Sequence, residues 1–202
     1  MHDEFVTPKS IFDTMAPAPT GHATSDDVLV QRVAAGNRLA MHGLFARHHA
    51  RVYRFILRWV GDPSVAEDAT GEVFLSLWRQ ADQFKAQSSV STWLLAIARD
   101  KAVAELRRRR CEAFGEDVTA VADPADGPDV TLHAKDRGQA LRLCLAQLSP
   151  EHREMIDLVY YHEKSIEEIA EIVDIPEDTV KTRTFYARTR LVDLLGSAGF
   201  GA

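Results

Sequence analysis

The sequence predicts an all-α protein: two small helical domains joined by a flexible acidic linker. Apolar residues recur along it at i, i+3, i+4 and i+7, and no run alternates as a half-buried strand would. Ser165 to Leu195 reads as two short helices around a tight turn. Residues 112–136 carry seven acids, one base, Pro124, Gly127 and Pro128, a composition that spaces domains apart and buries little.

The chain has 202 residues, of which 46% are hydrophobic, enough for one domain or two small ones with real cores. Net charge is −6, but residues 1–30 contribute −4 and residues 112–136 contribute −6, which leaves +4 on the helical remainder. The whole-chain acidity therefore does not exclude a nucleic-acid partner. No window approaches the ~18 apolar residues of a membrane span, and the polar start MHDEFVTPKS is unlike a secretion signal. Two cysteines, Cys111 and Cys144, build no disulfide framework and suit a reducing, cytoplasmic setting.

Residues 1–24, with Pro8, Pro17, Pro19 and Gly21 and no periodicity, are expected to be a disordered extension. The first domain is expected over 25–111. Ser25 or Asp26 caps a helix carrying Val28, Leu29 and Val33, ended near Gly36. A long helix over 39–60 follows, with Met41, Leu44, Phe45, Val52, Phe55, Ile56 and Trp59 on its stripe, stopping at Gly61. Its Arg47, Arg51, Arg54 and Arg58 read most simply as a solvated face.

Ser64 with Glu67 forms a capping-box pattern for a third helix through Val73, Phe74, Leu77 and Trp78. Glu67, Asp68 and Glu72 make a small acidic surface there, or simply complement the helix dipole. A polar loop holding Phe84 leads to Ser91 or Thr92, either of which can cap a helix with Trp93, Leu94, Ile97, Ala98 and Ala102 inside. That helix ends in Arg107 to Arg110, four consecutive arginines that cannot all be paired locally. They are either a site for phosphates or a solvated run.

The second domain is expected over 137–196, with 197–202 a short tail. Leu141, Cys144, Leu145 and Leu148 open it, Ser149-Pro150 starts a helix with Met155, Ile156 and Val159 inward, and Ser165 with Glu168 is a capping box. Ile166, Ile169, Ala170 and Val173 form one stripe, Asp174-Ile175-Pro176 breaks it, and a second helix turns Val180, Thr184, Ala187, Leu191 and Leu194 inward. From Thr179 to Arg190 that helix has four bases and no acid. The pattern describes a helix-turn-helix that lays its second helix in a DNA major groove, or else an ordinary helical hairpin with a charged outer face.

Taken together, AEDATGEVFLSLW (66–78), STWLLAIARDKAVAELRRRR (91–110), the acidic linker and LSPEHREMIDLVYYHEKSIEEIAEIVDIPEDTVKTR (148–183) resemble the group IV, extracytoplasmic-function sigma factors of bacterial RNA polymerase. The resemblance implies a cytoplasmic, non-enzymatic chain, monomeric when free, with no cofactor and no metal. It implies core-polymerase contacts with the clamp helices through Arg54, Glu67, Asp68, Glu72 and Phe74. It implies −10 recognition and melting by Phe84, Ser88, Trp93, Arg99, Lys101, Arg107 and Arg108, and −35 recognition by Thr179, Lys181, Thr182, Arg183, Phe185, Tyr186 and Arg188. Promoter DNA and an inhibitory anti-sigma protein are the other implied partners.

Those roles suit the residues. Aromatic rings stack on an unpaired base for ~1–3 kcal/mol, which fits Phe84 and Trp93, although Trp93 equally suits the core. Lys181, Arg183 and Arg188 can hold phosphates or guanine edges, and Thr182, Phe185 and Tyr186 can meet base methyls. Three positions depart from the family's habit: Gly71 where Gln is usual, Asp174 in place of the turn glycine, and Thr184 in place of Leu.

A DNA-binding regulator that acts without polymerase would account for 140–195 and leave the AED and STW segments without a purpose. An enzyme or metal protein finds no support among the eight histidines: His48-His49 are adjacent, and His42, His152 and His162 lie in separate elements without ligand spacing.

Overall fold

Eight α-helices make up the residues described by a computed structural model, 24–113 and 132–200, and no strand occurs among them. They are α1 (Asp26–Ala34), α2 (Arg38–Val60), α3 (Pro63–Gln80), α4 (Val90–Ala113), α5 (Leu132–Ala146), α6 (Pro150–Ile156), α7 (Ile166–Val173) and α8 (Glu177–Leu195). A 3₁₀ turn follows α3, and wide π turns follow α6 (Asp157–Tyr161) and α8 (Gly196–Phe200). The expected extension, apart from Thr24, and residues 114–131 of the expected linker lie outside the described residues. Helix enters that linker stretch at both ends, α4 running on to Ala113 and α5 beginning at Leu132.

Local chemistry sets most boundaries. Ser25 accepts from Val28 N, Asn37 from Ala40 N and Ser149 from His152 N, each satisfying a donor that a helix start leaves open. The Ser165–Glu168 capping box forms in both directions. Gly61 ends α2 at φ 69°, and Asp174 ends α7 in the left-handed region at φ 54°, ψ 52°. Asp thus serves in the turn where a glycine was expected, since Asp tolerates left-handed backbone better than most residues.

Two caps fall elsewhere than the sequence suggested. Asp62, not Ser64, caps α3, accepting from Ser64 N and Val65 N with Pro63 in the first helical position. Proline's fixed φ is already helical and its missing N–H costs nothing there, so the helix starts one residue before Ser64 and no Ser64–Glu67 box forms. At α4, Ser89 Oγ accepts from Thr92 N, while the Thr92 hydroxyl points away to another helix.

The first domain closes α1, α2, α3 and α4 around Val30, Leu44, Phe55, Ile56, Val73, Leu77, Leu94 and Ala98. The second gathers Leu148, Met155, Leu158, Ile169, Val173, Val180 and Ala187. Phe45 and Trp78, both expected inward, are instead exposed at the surface. The two domains also pack on each other, with α7 lying along α4 and the π turn after α6 lying against α2.

Candidate nucleic-acid interface

The outer face of α8 is the simplest surface. Val180, Thr184, Ala187 and Leu194 are buried, so the helical period turns Lys181, Thr182, Phe185, Tyr186 and Arg188 outward, all exposed. Phe185 and Tyr186 are 65% and 58% exposed, their rings 5.7 Å apart at the centroids. Lys181 Nζ lies 3.1 Å from Asp178 Oδ1, and that hydrogen bond raises its pKa. The Arg188 guanidinium sits over the Tyr160 ring, 5.3 Å from its centroid. Thr179 and Arg183 are half-buried on the flanks, and the charge of Arg183 favours ionised Glu154.

The expected −10 residues do not form one cluster. Phe84 and Trp93 do meet, ring centroids 5.0 Å apart, and both are half-buried against the core. Ser88 donates to Glu171 Oε1 on α7 at 2.6 Å. Arg99 Nε donates to Glu154 Oε1 on α6 at 2.8 Å, whereas Lys101 turns to Glu72 on α3 at 3.0 Å. Arg107 is exposed and lies about 20 Å beyond Trp93 at the helical rise. Glu105, one turn earlier, takes both Arg108 (2.7 and 2.9 Å) and Arg109 (3.1 Å), and those two arginines hold its pKa down even against partial burial. Arg109 also reaches Asp62 and the Val60 carbonyl, tying the α2–α3 corner.

On α3, Glu67, Asp68 and Glu72 are exposed, with Glu67 Oε1 3.3 Å from His49 Nε2. Beside them opens an apolar hollow lined by Met41, Phe45, Gly71, Phe74, Leu75 and Trp78. Phe74, expected as a contact, is only 3% exposed and forms the wall; Phe45, Leu75 and Trp78 supply the accessible apolar surface. A Cβ added at Gly71 would meet nothing within 4 Å, so the glycine is not there for want of space.

Arg54 lies apart from these acids. Its Nη1 donates to Tyr161 Oη at 2.6 Å, while Arg58 pairs with the Asp157 carboxylate and stacks on Tyr161, 4.1 Å from the ring centroid. Two of the four arginines expected to face solvent therefore join the domains. Between them, buried His162 meets Phe55 edge-on; burial first, then Arg58, Arg51 and Lys164, push its pKa down to about 3, so it is neutral.

The contact that sequence reasoning missed lies at the first turn of α4. Glu168 Oε1 accepts from Thr92 Oγ1 at 2.5 Å, Lys164 Nζ at 2.8 Å and Ser89 Oγ at 3.1 Å. Lys164 Nζ is also 2.7 Å from Ser91 Oγ and 2.9 Å from Thr92 Oγ1. Partial burial alone would raise the Glu168 pKa, but the bonds from Lys164, Thr92 and Ser165 N outweigh it and hold it at about 2. The capping-box pattern marks Glu168 in the sequence; nothing local marks Lys164. Among the described residues no group of three or more His, Cys, Asp or Glu could hold a metal ion, and no helix is long and apolar enough to cross a membrane.

Residues 44–111 match the family model for Sigma-70 region 2 and residues 138–191 that for Sigma-70 region 4. The ECF RNA polymerase sigma factor SigM of Mycobacterium tuberculosis is 32% identical over 182 residues, 89% of each chain. SigK of Mycobacterium bovis is 31% identical over 164 residues, 78% of this chain and 86% of that one. Among solved structures, the sigma factor RpoE of Bartonella quintana in complex with the anti-sigma factor NepR superposes with a TM-score of 0.63 at 26% identity, over 77% of this chain and 96% of that one. CnrH in complex with the cytosolic domain of CnrY shares the fold, with a TM-score of 0.64 at 23% identity over 85% and 97%.

Proposed function

Because the chain belongs to the ECF RNA polymerase sigma factors, with a region 2 and a region 4 domain, we propose that it binds core RNA polymerase and directs promoter-specific initiation. In this reading α8 enters the major groove at the −35 element. The loop before α4 captures and opens the −10 element. The acids of α3 and the hollow beside them receive the clamp helices of the polymerase.

The observation that carries the reading is the division of α8: a buried apolar stripe on one side, and on the other Lys181, Thr182, Phe185, Tyr186 and Arg188 exposed to solvent. Side chains of that kind, presented from one rigid helix, are what base edges and phosphates in a groove require. Phe84 against Trp93 gives the loop before α4 aromatic faces beside serine hydroxyls, suited to an unstacked base. The hollow supplies apolar contact, and the exposed acids Glu67, Asp68 and Glu72 on the same helix supply negative charge, a combination that suits a basic helical partner.

An anti-sigma protein that grips both domains is part of the same proposal. The support is a relative of similar fold, RpoE, whose structure is a complex with the anti-sigma factor NepR.

Run-off transcription with purified core enzyme on a pool of duplex genomic fragments tests the reading. Discrete starts that depend on this chain are expected, and no initiation from any duplex overturns it. Gel filtration separates it from a free-standing regulator, which would shift duplex DNA alone and elute apart from core.

A further inference from the structure

We propose that the chain's own N-terminal extension docks in the apolar hollow between α2 and α3, through Ile11, Phe12 and Met15, and masks it from the polymerase. The inference rests on the proposed clamp-helix role of that hollow and adds to it a competitor carried by the same chain.

The hollow has a volume of about 280 Å³ and is lined by six residues, Met41 and Phe45 of α2 and Gly71, Phe74, Leu75 and Trp78 of α3. Phe45, Leu75 and Trp78 are 39%, 49% and 37% exposed. Single apolar side chains in water are ordinary, but three around one concavity mark a place where something binds. Gly71 keeps the hollow wide, with open space where a Cβ would lie.

The first described residues point to the occupant. The Thr24 carbonyl accepts from Arg47 Nη1 at 2.6 Å, and Asp26 takes the same guanidinium, so the extension leaves from α2 itself. Arg47 is two residues past Phe45, which is about 3 Å along the helix and about 200° round it. The route to the hollow therefore crosses the outer side of α2, past exposed Leu39 and His42. The nine positions from Met15 to Thr24 reach up to ~30 Å at ~3.3 Å each. Half the circumference of a helix ~12 Å across is only ~19 Å.

Residues 5–16 hold Phe5, Val6, Ile11, Phe12 and Met15 with one base, Lys9, and one acid, Asp13. Their zero net charge spares them repulsion by the exposed acids Glu67, Asp68 and Glu72 on α3, so apolar contact drives the docking. A segment too polar for a core of its own can still lay an apolar cluster in a groove. A second copy of the chain fits less well. A stable homodimer uses ~20–30 residues a side, where the hollow offers six, whereas a tethered segment acts at an effective concentration on the order of millimolar. While the extension is docked no polymerase helix can enter, and apparent core affinity falls to the share of chains left undocked.

The test uses the full chain with Phe12→benzoylphenylalanine, a photoreactive analogue, alone and combined with Leu75→Ser. Crosslinks mapped by mass spectrometry are expected within one chain, on Met41, Phe45, Leu75 or Trp78, and several-fold fewer once Leu75→Ser is present. Titration of core enzyme with labelled full chain reads masking. Phe12→Ser, which alters no described residue, is expected to bind core about tenfold more tightly, as a segment docked about nine tenths of the time requires.

Crosslinks elsewhere or between chains, crosslinks unmoved by Leu75→Ser, or equal core affinity of Phe12→Ser and the unmodified chain each overturns the proposal, and the sigma reading then stands on the core binding observed. If neither chain binds core although the crosslinks map to the hollow, it is the sigma reading that falls.

Discussion

Arg99 Nε donates to Glu154 Oε1 across 2.8 Å, and this bond holds α4 of the first domain to α6 of the second, 55 positions along the chain. The Glu154 side chain is 1% exposed. Burial raises its pKa, while the charges of Arg99 and Arg183 work against that rise.

Arg99→Met therefore leaves a buried carboxylate without its partner and should lower stability by about 3 kcal/mol, read from the urea midpoint. Because the folded Glu154 already binds its proton more tightly than an unfolded one, stability at this group rises as pH falls toward the ordinary carboxylate value, and the variant steepens that rise. An unchanged midpoint would mean that the two domains do not meet in solution.

Glu168 has the opposite sign. Its folded value of about 2 lies below the ordinary 4.5, so its contribution is complete above 4.5 and is lost as pH falls from 4.5 toward 2. The groups facing it are the Lys164 ammonium and the neutral hydroxyls of Ser89 and Thr92. Small-angle scattering should show the chain expanding over that interval, and the step should shrink in Glu168→Gln; the same expansion in both would exclude Glu168 as its cause.

On α8, Phe185→Ala removes a ring that is mostly in water, so stability should stay within about 0.5 kcal/mol while affinity for −35 duplex falls. Arg188→Ala should reduce the salt slope of duplex binding by about 1. Loss of stability in place of affinity would show that the face serves packing.

Gly71 is exposed in the middle of α3 with open space where a Cβ would lie. Gly71→Ala should raise stability by about 1 kcal/mol through helix propensity alone. A neutral or lower melting midpoint would contradict that geometry.

Thr184 is buried, and its hydroxyl has no hydrogen-bond partner among the described residues. Thr184→Val keeps the shape and removes the unpaired group, so a gain of about 1 kcal/mol is expected; a loss would place a partner on that oxygen.

The helices of both domains, the Ser25, Ser149 and Ser165 caps, the Gly61 stop and the left-handed Asp174 were all legible in the sequence. Each depends on residues within a turn or two of one another, where apolar period and cap chemistry act. The start of α3 was misread because two local signals overlap at Asp62-Pro63-Ser64, and proline's fixed backbone decides between them. Inward and outward faces of α8 followed from the same period, which is why five of the seven candidate −35 side chains share one exposed surface, with Thr179 and Arg183 half-buried at its flanks.

What the sequence by itself determined is therefore an all-helical chain of two domains with a helix-turn-helix near its end. Only the tertiary structure decided that Arg54 and Arg58 bind Tyr161 and Asp157, that Arg99 and Lys101 part to different neighbours, and that Lys164 and Glu168 cover the first turn of α4. Those contacts join residues from about 30 to more than 100 positions apart. No local pattern encodes them, because they exist only once two separately folded surfaces bring ionised groups and hydroxyls into reach.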